Sequence, residues 1–140
     1  MREVKPHWLT PSGKTKSPDV VFTFDTETVE TDAGDHSVQR LRCWDAKLRR
    51  RHMPDGKRDR VKYYRGESGA VFANAVESVA IQHKETWVVA HNLSFDLAVT
   101  SLPFVLAERG WYVDGMHIGD ESSWWVLKKD QHRIVITDSW

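Results

Sequence analysis

A single cysteine, Cys43, stands in 140 residues, so no disulfide can close within the chain and no cysteine-based zinc site can form. No apolar run approaches the roughly 20 residues that a membrane-spanning helix needs. Residues 1–18 are polar and basic, without the apolar stretch of a secretory signal. The expectation is a protein of the cytoplasm with no membrane partner. Charge of one sign is not in excess either. The 20 Lys and Arg balance 20 Asp and Glu, so net charge alone does not point to nucleic acid. Repeats and low-complexity tracts are absent. The length suffices for one compact domain rather than two. With 40% hydrophobic and 29% charged residues, the chain is expected to bury a core.

The charges are balanced in sum but not in place. From Arg40 to Arg65 there are eleven basic residues and three acidic ones, a segment of +8, which leaves −8 for the remainder. A basic segment beside an acidic body can track a phosphate backbone while the acids hold metal ions. It can equally be a solvated, highly charged hairpin.

Residues 1–18 carry Pro6, Pro11 and Pro18 among Ser, Thr and Lys and read as a flexible lead-in. Ser12-Gly13-Lys14-Thr15 imitates the end of a phosphate-binding loop, but Trp8 stands where the pattern needs glycine and no strand precedes it. Val20–Phe24 reads as a buried strand ending at Asp25. Residues 38–52 and 60–65 read as two further strands joined by a Pro54-Asp55-Gly56 turn. Apolar residues at 72, 75, 76, 79 and 80 predict a helix over 70–81, with Ser68 as its N-cap. Trp87–Ala90 reads as a second buried strand, ending at His91-Asn92. Residues 94–108 are helical by the spacing of 95, 98, 99, 102, 105 and 106, with a kink at Pro103 and an end at Gly110. Three more strands are expected at Trp111–Val113, Trp124–Leu127 and Arg133–Thr137. The pattern is a mixed α/β domain over residues 19–140. Among the seven Trp, Trp87, Trp111, Trp124 and Trp125 belong by position to the core. Trp44 and Trp140 are the candidates for base stacking.

Carboxylates stand where buried elements end. In Phe24-Asp25-Thr26-Glu27-Thr28, alternation along a strand puts Asp25 and Glu27 on one face. Two like charges so close resist ionisation unless a cation lies between them, and hard oxygen ligands suit Mg²⁺ or Mn²⁺. Asp96, in His91-Asn92-Leu93-Ser94-Phe95-Asp96, falls in the first turn of a helix, where an anion is favoured. Each piece alone has a plainer reading, as a chance pair, a helix-start charge or a turn.

Taken together, Phe-Asp-x-Glu-Thr followed by His-Asn-Leu-x-Phe-Asp resembles the first two motifs of the DEDD 3′–5′ exonucleases. It is most similar to the proofreading domain of protein-primed family B DNA polymerases. The resemblance covers about residues 19–140 and includes Leu106-Ala107-Glu108-Arg109-Gly110 at a helix end and a strand into Asp138-Ser139-Trp140. It implies a ribonuclease H-like fold, a mixed sheet flanked by helices, and hydrolysis with two Mg²⁺ or Mn²⁺ ions. Asp25, Glu27 and Asp96 match the metal-binding, catalytic carboxylates. Thr28, Asn92 and Phe95, with His91 beside them, match residues that grip a single-stranded 3′ end, DNA or RNA. Ser139 matches the Ser of a strand-binding Ser-Leu pair, with Trp140 in place of the Leu.

The family's fourth carboxylate lies in a Tyr-x-x-x-Asp or His-x-x-x-Asp motif on a later helix. No Tyr or His here is followed four residues on by Asp. His117-x-x-x-Glu121 comes nearest, at a place where the family has a loop. The expectation is an N-terminal piece of a longer protein, truncated before that helix, in which a polymerase domain follows. Alone, the chain is expected to be inactive or weak. Two other classes compete: a nucleic-acid-binding module with vestigial acids, and a structural α/β domain.

Overall fold

The first strand organises the molecule, because it pairs on both sides. In the computed structural model, which describes residues 18–51, 60–120 and 122–138, β1 (Val20–Asp32) pairs antiparallel with β2 (Ser37–Arg50), and β2 with β3 (Arg60–Gly66). Helix α1 (Gly69–Ala80) then leads to β4 (Glu85–Ala90), which lies parallel to β1. Helices α2 (Leu93–Thr100) and α3 (Leu102–Glu108) and a hairpin of β5 (Tyr112–Ile118) and β6 (Ser123–Lys129) lead to β7 (His132–Asp138), parallel to β4. The sheet has seven strands in the order β3-β2-β1-β4-β7-β6-β5. The chain is therefore mixed α/β, as expected. The Pro54-Asp55-Gly56 turn, the lead-in up to residue 17, Ser139 and Trp140 lie outside the described residues.

Both crossovers, β1 to β4 and β4 to β7, step in the same direction across the sheet. The right-handed preference then puts their helices on one face. The core agrees. Phe22, Phe24, Trp44, Val88, Ala90, Ile134 and Ile136 pack with Phe72, Val76 and Val79 of α1 and Leu102 and Leu106 of α3. The intervening residues of the same strands point to the other face, which no helix among the described residues covers.

Phe72 holds the helix layer to the sheet, its ring 4.5 Å from Phe24 and 4.8 Å from Trp44, centroid to centroid. Trp44 is only 1% exposed and donates its indole N–H to the Ser68 carbonyl at 2.9 Å. It is a core residue and unavailable for base stacking. Its neighbour Ser68 caps α1 as expected, accepting from the Val71 N–H at 3.2 Å. Trp111 is buried, but Trp124, expected in the core, is 40% exposed on the uncovered face.

Three elements depart from the sequence pattern, one of them β5, which begins at Tyr112 and runs on to Ile118 instead of stopping at Val113. β1 continues seven residues past Asp25, because Thr26–Thr31 is rich in Thr and Val and pairs with β2 all the way to a turn at Gly34 (φ 94°). The single helix expected over 94–108 is broken at Ser101, which sits in the left-handed region at φ 54°. Pro103 is the reason. Its ring would clash with the carbonyl of residue 99, so the chain restarts and Pro103 falls in the first turn of α3. The break also resets the helix phase. Leu93, Asp96, Leu97 and Thr100 face inward, while Ala98 is exposed and Phe95 and Val99 are half-buried.

At the far end of the helix layer, Glu77 of α1 meets Arg109 and Lys129, each at 3.3 Å. Burial alone would raise its pKa. The hydrogen bonds from Lys129 and Arg109 outweigh burial and hold it below the ordinary 4.5. The stability from this cluster is complete above pH 4.5 and is lost as the pH falls through the lower folded value. Glu77→Gln is expected to lower stability at pH 7 by about 1 kcal/mol. In thermal melts the gap from the parent should close below pH 4.5.

Candidate active site

The parallel pairing of β1, β4 and β7 stops in one row. Phe24, Ala90 and Asp138 form the last row of parallel pairing. Ligands of open α/β sheets bind beyond such carboxyl ends. Here β1 continues without its β4 partner, and its Asp25-Thr26-Glu27 segment occupies that position. β4 turns through His91 and Asn92 into α2, whose start is fixed by the Asp96 N–H donating to the Asn92 carbonyl at 3.0 Å. Asn92 is the N-cap but makes no side-chain capping bond.

Asp96 therefore meets β1 at Thr26. The Thr26 hydroxyl donates to Asp96 Oδ1 at 2.5 Å. Asp96 is 1% exposed, and its other oxygen, Oδ2, is buried with no protein partner. Burial pushes its pKa up, the bond from Thr26 opposes this, and the Asp25 charge adds to the rise. Thr26 was not singled out from the sequence. The signal was present all the same, since alternation that turns Asp25 and Glu27 to one face must turn Thr26 to the other, with Phe22 and Phe24.

Asp25 and Glu27 do share a face, the uncovered one, and both are exposed. Asp25 Oδ1 accepts from the Thr26 N–H at 3.0 Å. Glu27 pairs across β1 and β2 with Cys43, whose Sγ lies 3.7 Å from Glu27 Oε2 and 3.7 Å from Arg65 Nη2. The next row is Asp25, Asp45 and Arg65, with Arg65 Nε 3.7 Å from Asp45 Oδ1. Just past Glu27 the register slips, and Arg42 becomes the extra residue of a bulge on β2. Sequence reasoning missed Cys43, Asp45 and Arg65, because only strand pairing brings them beside the acids.

The three carboxylates thus gather at one end of the sheet but divide between its faces. Their chemistry suits a hard divalent cation: carboxylate oxygens, one of them buried and unpartnered. Their arrangement is not a closed ligand set. Among the described residues no group of three or more His, Cys, Asp or Glu is placed to hold a metal ion.

The expected strand-gripping residues lie at the same end. His91 and Asn92 are exposed and Phe95 is half-buried. The Thr28 hydroxyl bonds Gln39 Oε1 at 2.6 Å. His117 lies in β5 with its ring stacked on Trp124, centroids 6.3 Å apart, and Glu121 is outside the described residues. Asp138 is occupied by the Ser123 N–H at 2.6 Å. A cavity of about 710 Å³ opens at the opposite end of the strands, near His83, Lys84 and Tyr112, away from the carboxylates. Two of its cations are neutralised, Arg133 by Glu85 and Lys128 by Asp114, both at 3.0 Å.

No family model matches this sequence, and no curated protein or solved structure matches it either. Among the described residues no helix is long and apolar enough to cross a membrane.

Because the Asp96 pKa is raised, the stability of its protonated, folded form is full below the ordinary 3.8 and declines as the pH rises through the folded value. Asp96→Asn copies the protonated shape without the proton. At pH 7 it should melt higher than the parent, by on the order of 1 kcal/mol of stability. The difference should shrink toward pH 4, and a variant that melts lower at pH 7 contradicts the burial argument.

Proposed function

We propose that this chain carries the nuclease centre of a 3′–5′ exonuclease with a ribonuclease H-like fold, acting at a single-stranded 3′ end, within a family B DNA polymerase. The observation that carries the reading is the position of Asp96 against Thr26 of β1, between Asp25 and Glu27, just past the point where pairing of β1 with β4 stops and α2 begins. A mixed sheet with helices against it is the architecture this reading calls for. The basic β2–β3 hairpin beside the acids supplies charge for a phosphate backbone.

In this reading, Asp25, Glu27 and Asp96 would hold Mg²⁺ or Mn²⁺, which would supply Lewis-acid activation of water and charge stabilisation at the leaving oxygen. The chain's own residues do the rest. Asp25 and Glu27 present two exposed negative charges on one face. Asp96 offers a buried oxygen without a protein partner and gives up its proton reluctantly. His91, Asn92, Phe95 and Thr28 surround the same strand ends and hold the terminal nucleotides, with Ser139 following β7. With no Tyr-x-x-x-Asp or His-x-x-x-Asp in the sequence, turnover by this chain alone is expected to be absent or weak.

The division of the carboxylates between two faces favours a second reading, a strand-binding module that does not hydrolyse. Calorimetry with Mn²⁺ separates the two. The nuclease reading expects binding by the parent protein and its loss in Asp25→Ala. No binding by the parent, or equal binding by both, rejects it in favour of the module.

A further inference from the structure

The uncovered face of the sheet carries a feature that packing does not explain. Tyr63 of β3 is 74% exposed, more than any other large apolar or aromatic side chain described. An aromatic ring in a strand ordinarily hides against its neighbours. Strand pairing sets its surroundings. Tyr63 lies opposite Lys47, which lies opposite Thr23 of β1. The adjacent row on the same face is Arg65, Asp45 and Asp25. Lys47 and Arg65 therefore flank the ring, and with Asp45 they frame a shallow depression of about 310 Å³. Both basic residues are exposed. Tyr63 stands two strands from Asp25, roughly 10 Å across the sheet, and one side-chain row, roughly 7 Å, along it.

An exposed ring on a flat sheet, bordered by cations, is the chemistry that holds unpaired nucleotides: bases stack on the ring and phosphates meet the positive charges. Duplex suits it less, because paired bases do not offer their faces. We propose that Tyr63, with Lys47 beside it, forms a stacking platform for single-stranded nucleic acid. The strand crosses the uncovered face of β3, β2 and β1 toward Asp25. This names the route of the substrate to the proposed nuclease site and rests on that reading for its destination, though not for the binding itself. Tyr64, one residue on, cannot substitute. It points to the helix-covered face, where its ring lies 5.7 Å from Phe22 and under Lys62.

The test is fluorescence anisotropy of a 5′-labelled oligothymidylate with the full chain at low salt, in EDTA, so that neither divalent cations nor metal-dependent hydrolysis enter. Tyr63→Ala should weaken binding about ten-fold, the loss expected for one stacked base. Tyr63→Phe, which keeps the ring, should stay within about two-fold of the parent. Lys47→Gln should weaken binding and flatten its salt dependence. The proposal is overturned if the parent does not bind the strand, if Tyr63→Ala binds as the parent does, or if Tyr63→Phe falls as far as Tyr63→Ala. Its fate separates from that of the nuclease reading. Loss of strand binding in Tyr63→Ala with no Mn²⁺ binding by the parent keeps the platform and rejects the nuclease. Mn²⁺ binding that depends on Asp25, with strand binding indifferent to Tyr63, does the reverse.

Discussion

Strand β1 is paired on both sides as far as Phe24 and on one side beyond it, and the rest of the molecule is arranged around that change. Up to Phe24 the strand is central, and its alternate residues Val20, Phe22 and Phe24 anchor the core under α1. After Phe24 the side vacated by β4 is taken by the start of α2. A polar residue of β1 then meets a polar residue of the helix, Thr26 against Asp96. A buried carboxyl is tolerated there because one oxygen accepts a hydrogen bond from Thr26, while burial raises its pKa above the ordinary value. The same strand, by its pleat, delivers Asp25 and Glu27 to the opposite face. Core, buried acid and exposed acids are consequences of one strand outlasting its partner.

The two faces of the sheet have different chemistry for a topological reason. Both crossovers run in one direction, so both deliver helices to one side. That side is apolar and holds Trp44 and Trp111. The other side is left to the residues in between, and on β1, β2 and β3 these include Asp25, Glu27, Asp45, Lys47, Tyr63 and Arg65, with Val21, Thr23, Cys43, Arg49 and Val61. Positive and negative charges that are remote in sequence form adjacent rows. A segment of +8 and a body of −8 meet where β2 pairs with β1. The surface that results is polar, charged and flat, and suits an extended charged polymer better than a small apolar ligand.

Much of the fold was legible in residue order. Val20–Phe24 and Trp87–Ala90 are short runs of β-branched and aromatic residues, and such runs have few alternatives to a buried strand. Of the α1 positions 72, 75, 76, 79 and 80, all but the half-buried Ala75 are buried, Ala73 joins them, and Ser68 stood where a cap is needed. The placing of the candidate acids was legible in part: Asp96 follows the end of β4, but Asp25 and Glu27 lie within β1, which runs on to Asp32. Less legible was the stretch from 94 to 108. Its apolar residues fit one helical phase on paper, but Pro103 forced a restart at Ser101, and the inward face became Leu93, Asp96, Leu97 and Thr100. Trp44 misled for a related reason. It sits in a basic stretch, and only the register of β2 shows that it faces Phe72 rather than solvent.

The sequence by itself determined the alternation of strands and helices, the caps and breaks, and the side of β1 on which Asp25 and Glu27 travel together. These depend on neighbours within a few residues, through steric preference and the two-residue period of a strand. Tertiary structure alone decided that Thr26 is the partner of Asp96, that Cys43, Asp45 and Arg65 stand beside the acids, and that Tyr63 is left exposed near Lys47. Those contacts span from 16 to 70 positions along the chain. They depend on which strands pair, in what register, and on which face the helices land, none of which short-range propensity encodes.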